Sequence, residues 1–167
     1  VGPYRDPRTD DWLSIASVGE YARVIGPAAD SLRGDGKPGT YVVPSGMKLT
    51  FSPAGAKATA LRIESPDGDV TEMLASPPPA AGSLTLGDYA GVYHSPELDS
   101  RITIRLDGAN LRARLSADEE STLMPFYKDG FRIGGATLRF VRDASGKVTG
   151  LRAFAGRARN VRFDREP

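Results

Sequence analysis

The chain of 167 residues repeats itself, and no other feature of the sequence constrains the fold as much. Residues 1–7 (VGPYRDP) align with residues 90–96 (AGVYHSP), so that glycine, tyrosine and proline coincide at an offset of 89. The same offset matches further positions: Asp10 with Asp99, Leu13 with Ile102, Ile15 with Ile104, Leu49 with Leu138. After one inserted residue, Leu61 matches Leu151. We interpret the register as a tandem duplication, and each half as one structural unit.

A proline-rich segment separates the two halves. Residues 77–83 (PPPAAGS) favour an extended polyproline II conformation, which acts as a semi-rigid spacer. The sequence therefore predicts a first unit at 1–76, a linker at 77–83 and a second unit at 84–167. A unit of about 80 residues is marginally stable alone. Residues 1–88 carry a net charge of −3 and residues 89–167 of +4, so we expect the units to pack side by side.

Both halves have the pattern of short antiparallel strands. In the second half, Ile102, Ile104 and Leu106 alternate with polar residues, and Asp107-Gly108 then gives a hairpin signal. Similar short runs recur between turn signals throughout the chain, and no stretch has a sustained helical period. The fold class predicted is all-β: two tandem small antiparallel β-barrels, lipocalin-like and related by the internal repeat.

Composition excludes several classes of function. With no cysteine, disulfides and thiol chemistry are impossible, and a single histidine excludes multi-histidine metal sites. A net charge of +1 creates no electrostatic field that would attract nucleic acid. The sequence contains no run of 18 apolar residues, so no membrane span is predicted. We expect no cofactor, no nucleic-acid partner and no membrane-spanning segment.

Two short motifs suggest chemistry that their context does not favour. Residues 34–39 (GDGKPG) match G-x-G-x-x-G, but the proline and the strand-like residues that follow indicate a hairpin loop. Ser45 and Lys48 match the S-x-x-K motif of β-lactamases. In an extended segment, positions i and i+3 face opposite sides, so we do not expect these two side chains to meet.

Three further sets of residues are candidates for a functional site. His94 lies near Ser95 and Asp99, an arrangement that suggests a nucleophile and a base, but we favour a structural histidine. Asp6, Asp10 and Asp11 lack the spacing of a calcium loop. Arginines alternate with apolar residues near the C-terminus, which predicts a basic strand face that includes Arg139, Arg152 and Arg162.

The second half also resembles a known family. Residues 86–99 (LGDYAGVYHSPELD) are similar to the Y-x-G-x-Y-x-S-x-E-L-D opening of the small β-barrel that follows the catalytic domain in many β-lactamase-related serine hydrolases. Residues 135–151 and 159–163 resemble the end of that barrel. Two barrels in tandem are similar to domains B and C of the D-aminopeptidase group. The motif positions are Tyr93, His94, Glu97 and Asp99.

The resemblance implies that this chain is not itself an enzyme. In that group the S-x-x-K nucleophile belongs to an upstream catalytic domain, which would be the partner of these barrels, and no catalytic residue is carried over. A loop of the last barrel shapes substrate access, and such hydrolases are often exported, which implies a periplasmic or secreted protein. The candidate substrate-gating residues lie in two polar breaks: Ser116, Asp118, Glu119, Glu120, Ser121, Tyr127, Lys128 and Asp129.

Three hypotheses of function remain open at this stage. The first is a noncatalytic C-terminal accessory module of a penicillin-recognising serine hydrolase that packs on the catalytic domain. The second is a lipocalin-like barrel pair that binds a small apolar ligand, since an eight-stranded barrel can hold a ligand or fill with side chains. The third is an oligomerisation or cell-wall contact domain that uses the basic face.

Overall fold

The computed structural model describes residues 2–18, 21–25, 30–55, 57–115 and 120–167. The chain divides into two compact units, Val1–Pro77 and Pro78–Pro167. The division falls within the proline-rich segment, where residues 76–80 have no regular structure. Among the described residues, no helix is long and apolar enough to cross a membrane.

The first unit is a curled antiparallel sheet of nine short strands. The strands are β1 (Gly2–Arg5), β2 (Trp12–Val18), β3 (Tyr21–Ile25), β4 (Asp30–Ser31), β5 (Arg33–Gly34), β6 (Thr40–Val42), β7 (Lys48–Ser52), β8 (Ala60–Glu64) and β9 (Val70–Ala75). Their order across the sheet is β4-β3-β2-β1-β9-β8-β7-β6-β5. The two edge strands, β4 and β5, are separated along the chain by Leu32 alone, so the sheet curls until its edges meet at this residue.

The second unit is a closed antiparallel barrel of eight strands. The strands are β10 (Gly91–Ser95), β11 (Ser100–Asp107), β12 (Asn110–Arg114), β13 (Glu120–Tyr127), β14 (Gly130–Ile133), β15 (Ala136–Arg142), β16 (Val148–Ala155) and β17 (Ala158–Arg165). Each strand pairs with the next along the chain, and β10 pairs with β17 to close the ring. A 3₁₀ turn at Leu86–Tyr89 precedes the barrel. Closure leaves no edge strand that could pair with another chain.

The predicted repeat is confirmed by the strand registers. Gly2 pairs with Ile15 in the first unit, and Gly91 pairs with Ile104 in the second. Both members of the second pair lie 89 residues after their equivalents in the first. After the predicted insertion, Leu61 pairs with Met73 as Leu151 pairs with Phe163. In both units, the fourth strand of the repeat pairs with the strand before it and with the strand after it. In the second unit, β13 pairs with β12 through its first half and with β14 through its second. In the first unit, β4 and β5 divide these two pairings between them.

Each unit has its own hydrophobic core. The first core contains Tyr4, Leu13, Ile15, Val24, Leu32, Val43, Leu49, Leu61 and Met73. The second core is larger and contains Tyr89, Tyr93, Ile102, Ile104, Leu111, Ala113, Leu123, Phe131, Ile133, Leu138, Phe140, Val148, Leu151, Val161 and Phe163. The residues at alternate strand positions thus enter the cores, as the period-2 pattern predicts.

Candidate functional site

The interior of the second barrel is filled with side chains. Phe131 and Phe140 cross edge to face with ring centroids 5.5 Å apart, and Tyr89 and Tyr93 pack on Phe140 at 4.8 and 5.6 Å. Phe131 and Tyr93 have no exposed surface. Two shallow cavities of this unit are lined by residues between 141 and 167, on its outer surface and near its C-terminal end. Among the described residues, aromatic and aliphatic side chains thus occupy the centre of this barrel.

One end of the barrel is closed by Tyr89 and a network of charged groups. The Tyr89 hydroxyl donates to Asp129 Oδ1 at 2.9 Å, and Arg142 Nε donates to the same oxygen at 2.8 Å. Arg142 Nη1 donates to Asp88 Oδ2 at 3.1 Å, and its guanidinium lies over the Tyr89 ring at 5.1 Å. Arg165 donates to the main-chain oxygens of Asp88, at 3.0 Å, and of Ala90. We call these residues the end cap: Asp88, Tyr89, Asp129, Arg142 and Arg165.

The electrostatics of the end cap are those of a structural network. Burial raises the pKa of the Tyr89 hydroxyl, and its hydrogen bond to Asp129 raises it further. Burial alone lowers the pKa of Arg142, but its hydrogen bonds to Asp129 and Asp88 outweigh burial and leave the pKa above its ordinary value. Sequence analysis did not find this network. Tyr89 belongs to the family-like motif, but nothing in the sequence pairs Asp129 with Arg142.

The second predicted gating segment is part of the end cap rather than a free loop. Tyr127 is 4% exposed and ends β13, and Asp129 occupies a left-handed turn with φ of 63°. The Tyr127 ring lies so close to Gly130 that a Cβ there would be 2.3 Å from it. Only Lys128 of the three predicted residues is exposed. This turn is therefore held by the contacts of Asp129 with Tyr89 and Arg142 and by the close approach of Tyr127 to Gly130.

The first predicted gating segment is only partly described. Ser116, Asp118 and Glu119 lie outside the described residues, whereas Glu120 and Ser121 begin β13. Arg105 holds Glu120 through two hydrogen bonds of 2.7 Å, and Arg112 Nη2 donates to the main-chain oxygen of Glu120 at 3.2 Å. The hydrogen bond from Arg105 lowers the pKa of Glu120 below its ordinary value. Glu120 is thus a strand residue paired across the outer face of the barrel.

The residues of the family-like motif do not form a catalytic group. Tyr93 and Ser95 point into the barrel and have no exposed surface, whereas the neighbouring His94 lies on the outer face opposite Arg101 and Asp164. His94 Nε2 is 3.5 Å from Asp99 Oδ1, and Glu97 is exposed in the turn between β10 and β11. Since Ser95 and His94 project from opposite faces of β10, the imidazole cannot act as a base for that hydroxyl.

The repeat explains the contact of His94. In the first unit, Arg5 occupies the position of His94, and its Nη1 is 2.6 Å from Asp10 Oδ1. Asp10 and Asp99 are also equivalent, and both have left-handed backbones, with φ of 57° and 44°. A cationic or imidazole side chain beside an aspartate of the following turn is repeated in both units.

The two short motifs of the first unit lie in turns. Residues 35–39 form the loop between β5 and β6, in which Lys37 N donates to Asp35 Oδ1 at 3.0 Å. No helix follows, so the predicted hairpin loop is confirmed. Ser45 lies in the turn before β7, and Lys48 is the first residue of that strand. No hydrogen bond among the described residues joins Ser45 to Lys48.

Two of the three acidic residues of the first unit, Asp6 and Asp10, are buried and paired with arginine. Asp6 and Asp10 are each 2% exposed. Arg8 donates to Asp6 through its main-chain N at 2.8 Å and through its guanidinium at 3.2 and 3.3 Å. Burial raises the pKa of Asp6, but these hydrogen bonds outweigh burial and lower it below its ordinary value. In the part of the chain that the structure describes, no group of three acidic or histidine side chains could hold a metal.

The predicted basic strand face is confirmed by the register of the barrel. Arg139 on β15, Arg152 on β16 and Arg162 on β17 lie directly opposite one another, on the outer surface. Arg162 Nε donates to Asp164 Oδ1 at 2.7 Å. Beside the row, a shallow cavity of about 260 Å³ opens over Gly150, between Val141 on one side and Arg152 and Arg162 on the other. We call the three arginines and this cavity the arginine face.

Comparison with known proteins adds no relative. No protein-family model matches the chain, and no curated protein is significantly similar to it. The case for a function therefore rests on the geometry of the two units and on the residues of the family-like motif.

Proposed function

We propose that this chain is a noncatalytic accessory module of a β-lactamase-related, D-aminopeptidase-like serine hydrolase, and that it packs on the catalytic domain and limits access of substrates. The observation that carries the proposal is the second barrel, whose described interior is packed with aromatic and aliphatic side chains. A barrel filled in this way has its outer surface available for binding another protein or domain.

The placement of the hydroxyl groups supports a noncatalytic role. Ser95 is buried and separated by β10 from the only imidazole, and Ser45 lies in an exposed turn away from Lys48. A nucleophile needs a base within hydrogen-bond reach and an oxyanion site nearby. Neither serine has a base within that reach among the described residues.

A hydrolysis assay tests whether the chain lacks catalysis. The purified chain is incubated with a D-amino-acid p-nitroanilide, a chromogenic cephalosporin and a p-nitrophenyl ester, and we expect no rate above buffer. A rate abolished by Ser95→Ala or by Ser45→Ala would contradict the proposal. Both substitutions leave the charge unchanged, so each serves as the matched control for the other.

The association with a catalytic domain is tested on the natural gene product. The intact mass of the native protein, together with the reading frame around these residues, should reveal a larger product with an S-x-x-K-bearing domain ahead of Val1. In that product, deletion of residues 116–119, which leaves β13 intact, should change kcat/KM more for bulky substrates than for small ones. A native protein that begins near Val1 and carries a copurified apolar ligand would favour a ligand-binding barrel pair instead.

A further inference from the structure

The arginine face contains an arrangement that the barrel itself does not need. Residues directly opposite on neighbouring antiparallel strands have Cβ atoms about 4.5–5.5 Å apart, and like charges so placed destabilise a sheet. Arg139, Arg152 and Arg162 occupy three neighbouring strands in this way. Arg152, at the centre, is in no ion pair or hydrogen bond with any residue that the structure describes. Local features that oppose stability are typical of functional surfaces.

The cavity beside the row depends on a glycine at position 150. A Cβ on Gly150 would stand 2.6 Å from the main-chain oxygen of Phe163, so no larger residue fits there without a shift of β17. The side of the cavity away from the arginines is formed by Val141, which is 37% exposed. A ligand that lies across this face would therefore meet guanidinium groups on one side of the cavity and the exposed apolar side chain of Val141 on the other.

We propose that the arginine face binds an acidic segment of a partner protein, with a carboxylate on Arg152 and an apolar side chain in the cavity over Gly150. The planar guanidinium matches a carboxylate through two parallel hydrogen bonds, and arginine is enriched in protein interfaces. The inference rests on the proposed role as an interaction module, and it adds the surface and the chemistry of the partner.

The charges of this face favour a polypeptide over a nucleic acid. Asp164 lies between Arg162 and His94 and would repel a continuous chain of phosphates. The whole chain has a net charge of only +1, which provides little long-range attraction for a polyanion. A protein segment with one or two carboxylates would pair with the arginines, and an apolar side chain beside them would occupy the cavity.

The test compares two pairs of substitutions that remove the same charge from the same barrel. In the full chain, Arg152→Gln with Arg162→Gln alters the arginine face, and Arg101→Gln with Arg114→Gln is the matched control on other strands. Binding of a fluorescein-labelled peptide of alternating Glu and Leu is measured by anisotropy at an ionic strength of about 0.1 M. We expect the first pair to weaken binding about tenfold, which corresponds to about 1.4 kcal/mol for the loss of two exposed ion pairs. We expect the control to change it less than twofold.

Three results would overturn the inference. They are an equal loss in both pairs, no binding of the peptide to the parent chain, or tighter and equally Arg152-dependent binding of a single-stranded oligonucleotide. A peptide of alternating Glu and Ser should bind more weakly than the Glu–Leu peptide, and equal affinity would contradict the role of the cavity. Circular dichroism confirms that each variant is folded. The hydrolysis and native-mass experiments do not involve these arginines, so the proposed function can fail or stand independently.

Discussion

The ionisation of Tyr93 is coupled to the folding of the second barrel. Its ring lies in the centre of the second core with no exposed surface, and its hydroxyl donates to the Tyr89 main-chain oxygen at 2.8 Å. Burial raises the pKa of Tyr93 to about 12, whereas a tyrosine in an unfolded chain ionises near pH 10. The stability that this group contributes is therefore fully present below pH 10 and is lost as the pH rises toward 12.

Replacement of Tyr93 by Phe separates the contribution of its hydrogen bond from the pH dependence of stability. At pH 8 we expect Tyr93→Phe to lower the free energy of unfolding by about 1 kcal/mol, because a buried hydrogen bond is lost. Between pH 10 and pH 12 we expect the variant to lose less stability than the parent, by up to about 2 kcal/mol. Denaturant unfolding across this pH range, followed by circular dichroism, measures both. Equal pH slopes in the two proteins would show that Tyr93 is not the group responsible.

Asp129 should be the most sensitive acidic residue of the end cap. In Asp129→Asn the left-handed backbone is tolerated, but Arg142 loses a charged partner that is only 18% exposed. We expect a loss of roughly 1–3 kcal/mol in the free energy of unfolding, since a part-buried charge is left with a weaker acceptor. The matched control is Asp107→Asn, which removes an exposed contact of 3.7 Å to Arg105 and should change stability by less than about 0.5 kcal/mol. Equal effects would mean that the cap does not stabilise the barrel.

At the scale of elements, Gly150 links the β16–β17 pairing to the arginine face. Because a Cβ would meet the Phe163 main-chain oxygen at 2.6 Å, Gly150→Ala forces the two strands apart. We expect a loss of about 1–3 kcal/mol, as for other overpacking substitutions. Gly135→Ala is the control, since a Cβ there has no neighbour within 4 Å, and its effect should stay below about 0.5 kcal/mol. Thermal unfolding of the two variants decides between steric conflict and a general effect of glycine replacement.

The strands with an exposed face could be predicted from the sequence, but the cap could not. Ile102, Ile104 and Leu111 alternate with charged residues because one side of β11 and β12 meets water, and the hairpin signal lies between the strands. The 3₁₀ turn at Leu86–Tyr89 is too short for a periodic signal, so the sequence analysis did not recognise it as an element. The short β4 and β5 of the first unit were missed for the same reason.

At the scale of the whole molecule, the repeat predicted more than any local pattern. It predicted equivalent strand registers, and these hold from β1 and β10 through to β9 and β17. The candidate site was harder to predict from the sequence, because its contacts join residues that lie far apart in the chain. Arg165 reaches Ala90, 75 residues away, and Arg142 reaches Asp88, 54 residues away. The row of three arginines was predictable only because it follows from the alternation within adjacent strands.

The closed barrel of the second unit leads to a prediction about independent folding. All eight strands have partners on both sides within the unit, and its core cluster contains residues 89–163 only. A fragment of residues 78–167 should therefore fold alone and unfold cooperatively, although a domain of this size has little stability in reserve. Far-ultraviolet circular dichroism and amide hydrogen exchange measure this directly.

A shorter fragment isolates the contribution of the cap. A fragment of residues 90–167 keeps all eight strands but lacks Asp88 and Tyr89, which close one end of the barrel through Asp129 and Arg142. Loss of a large buried aromatic side chain costs about 3–5 kcal/mol, which is comparable to the whole stability of a small domain. We expect this fragment to be largely unfolded at 25 °C while the longer one is folded. Two equally stable fragments would show that the barrel closes without its cap, and an unfolded longer fragment would show that the second unit needs more of the chain than its own core.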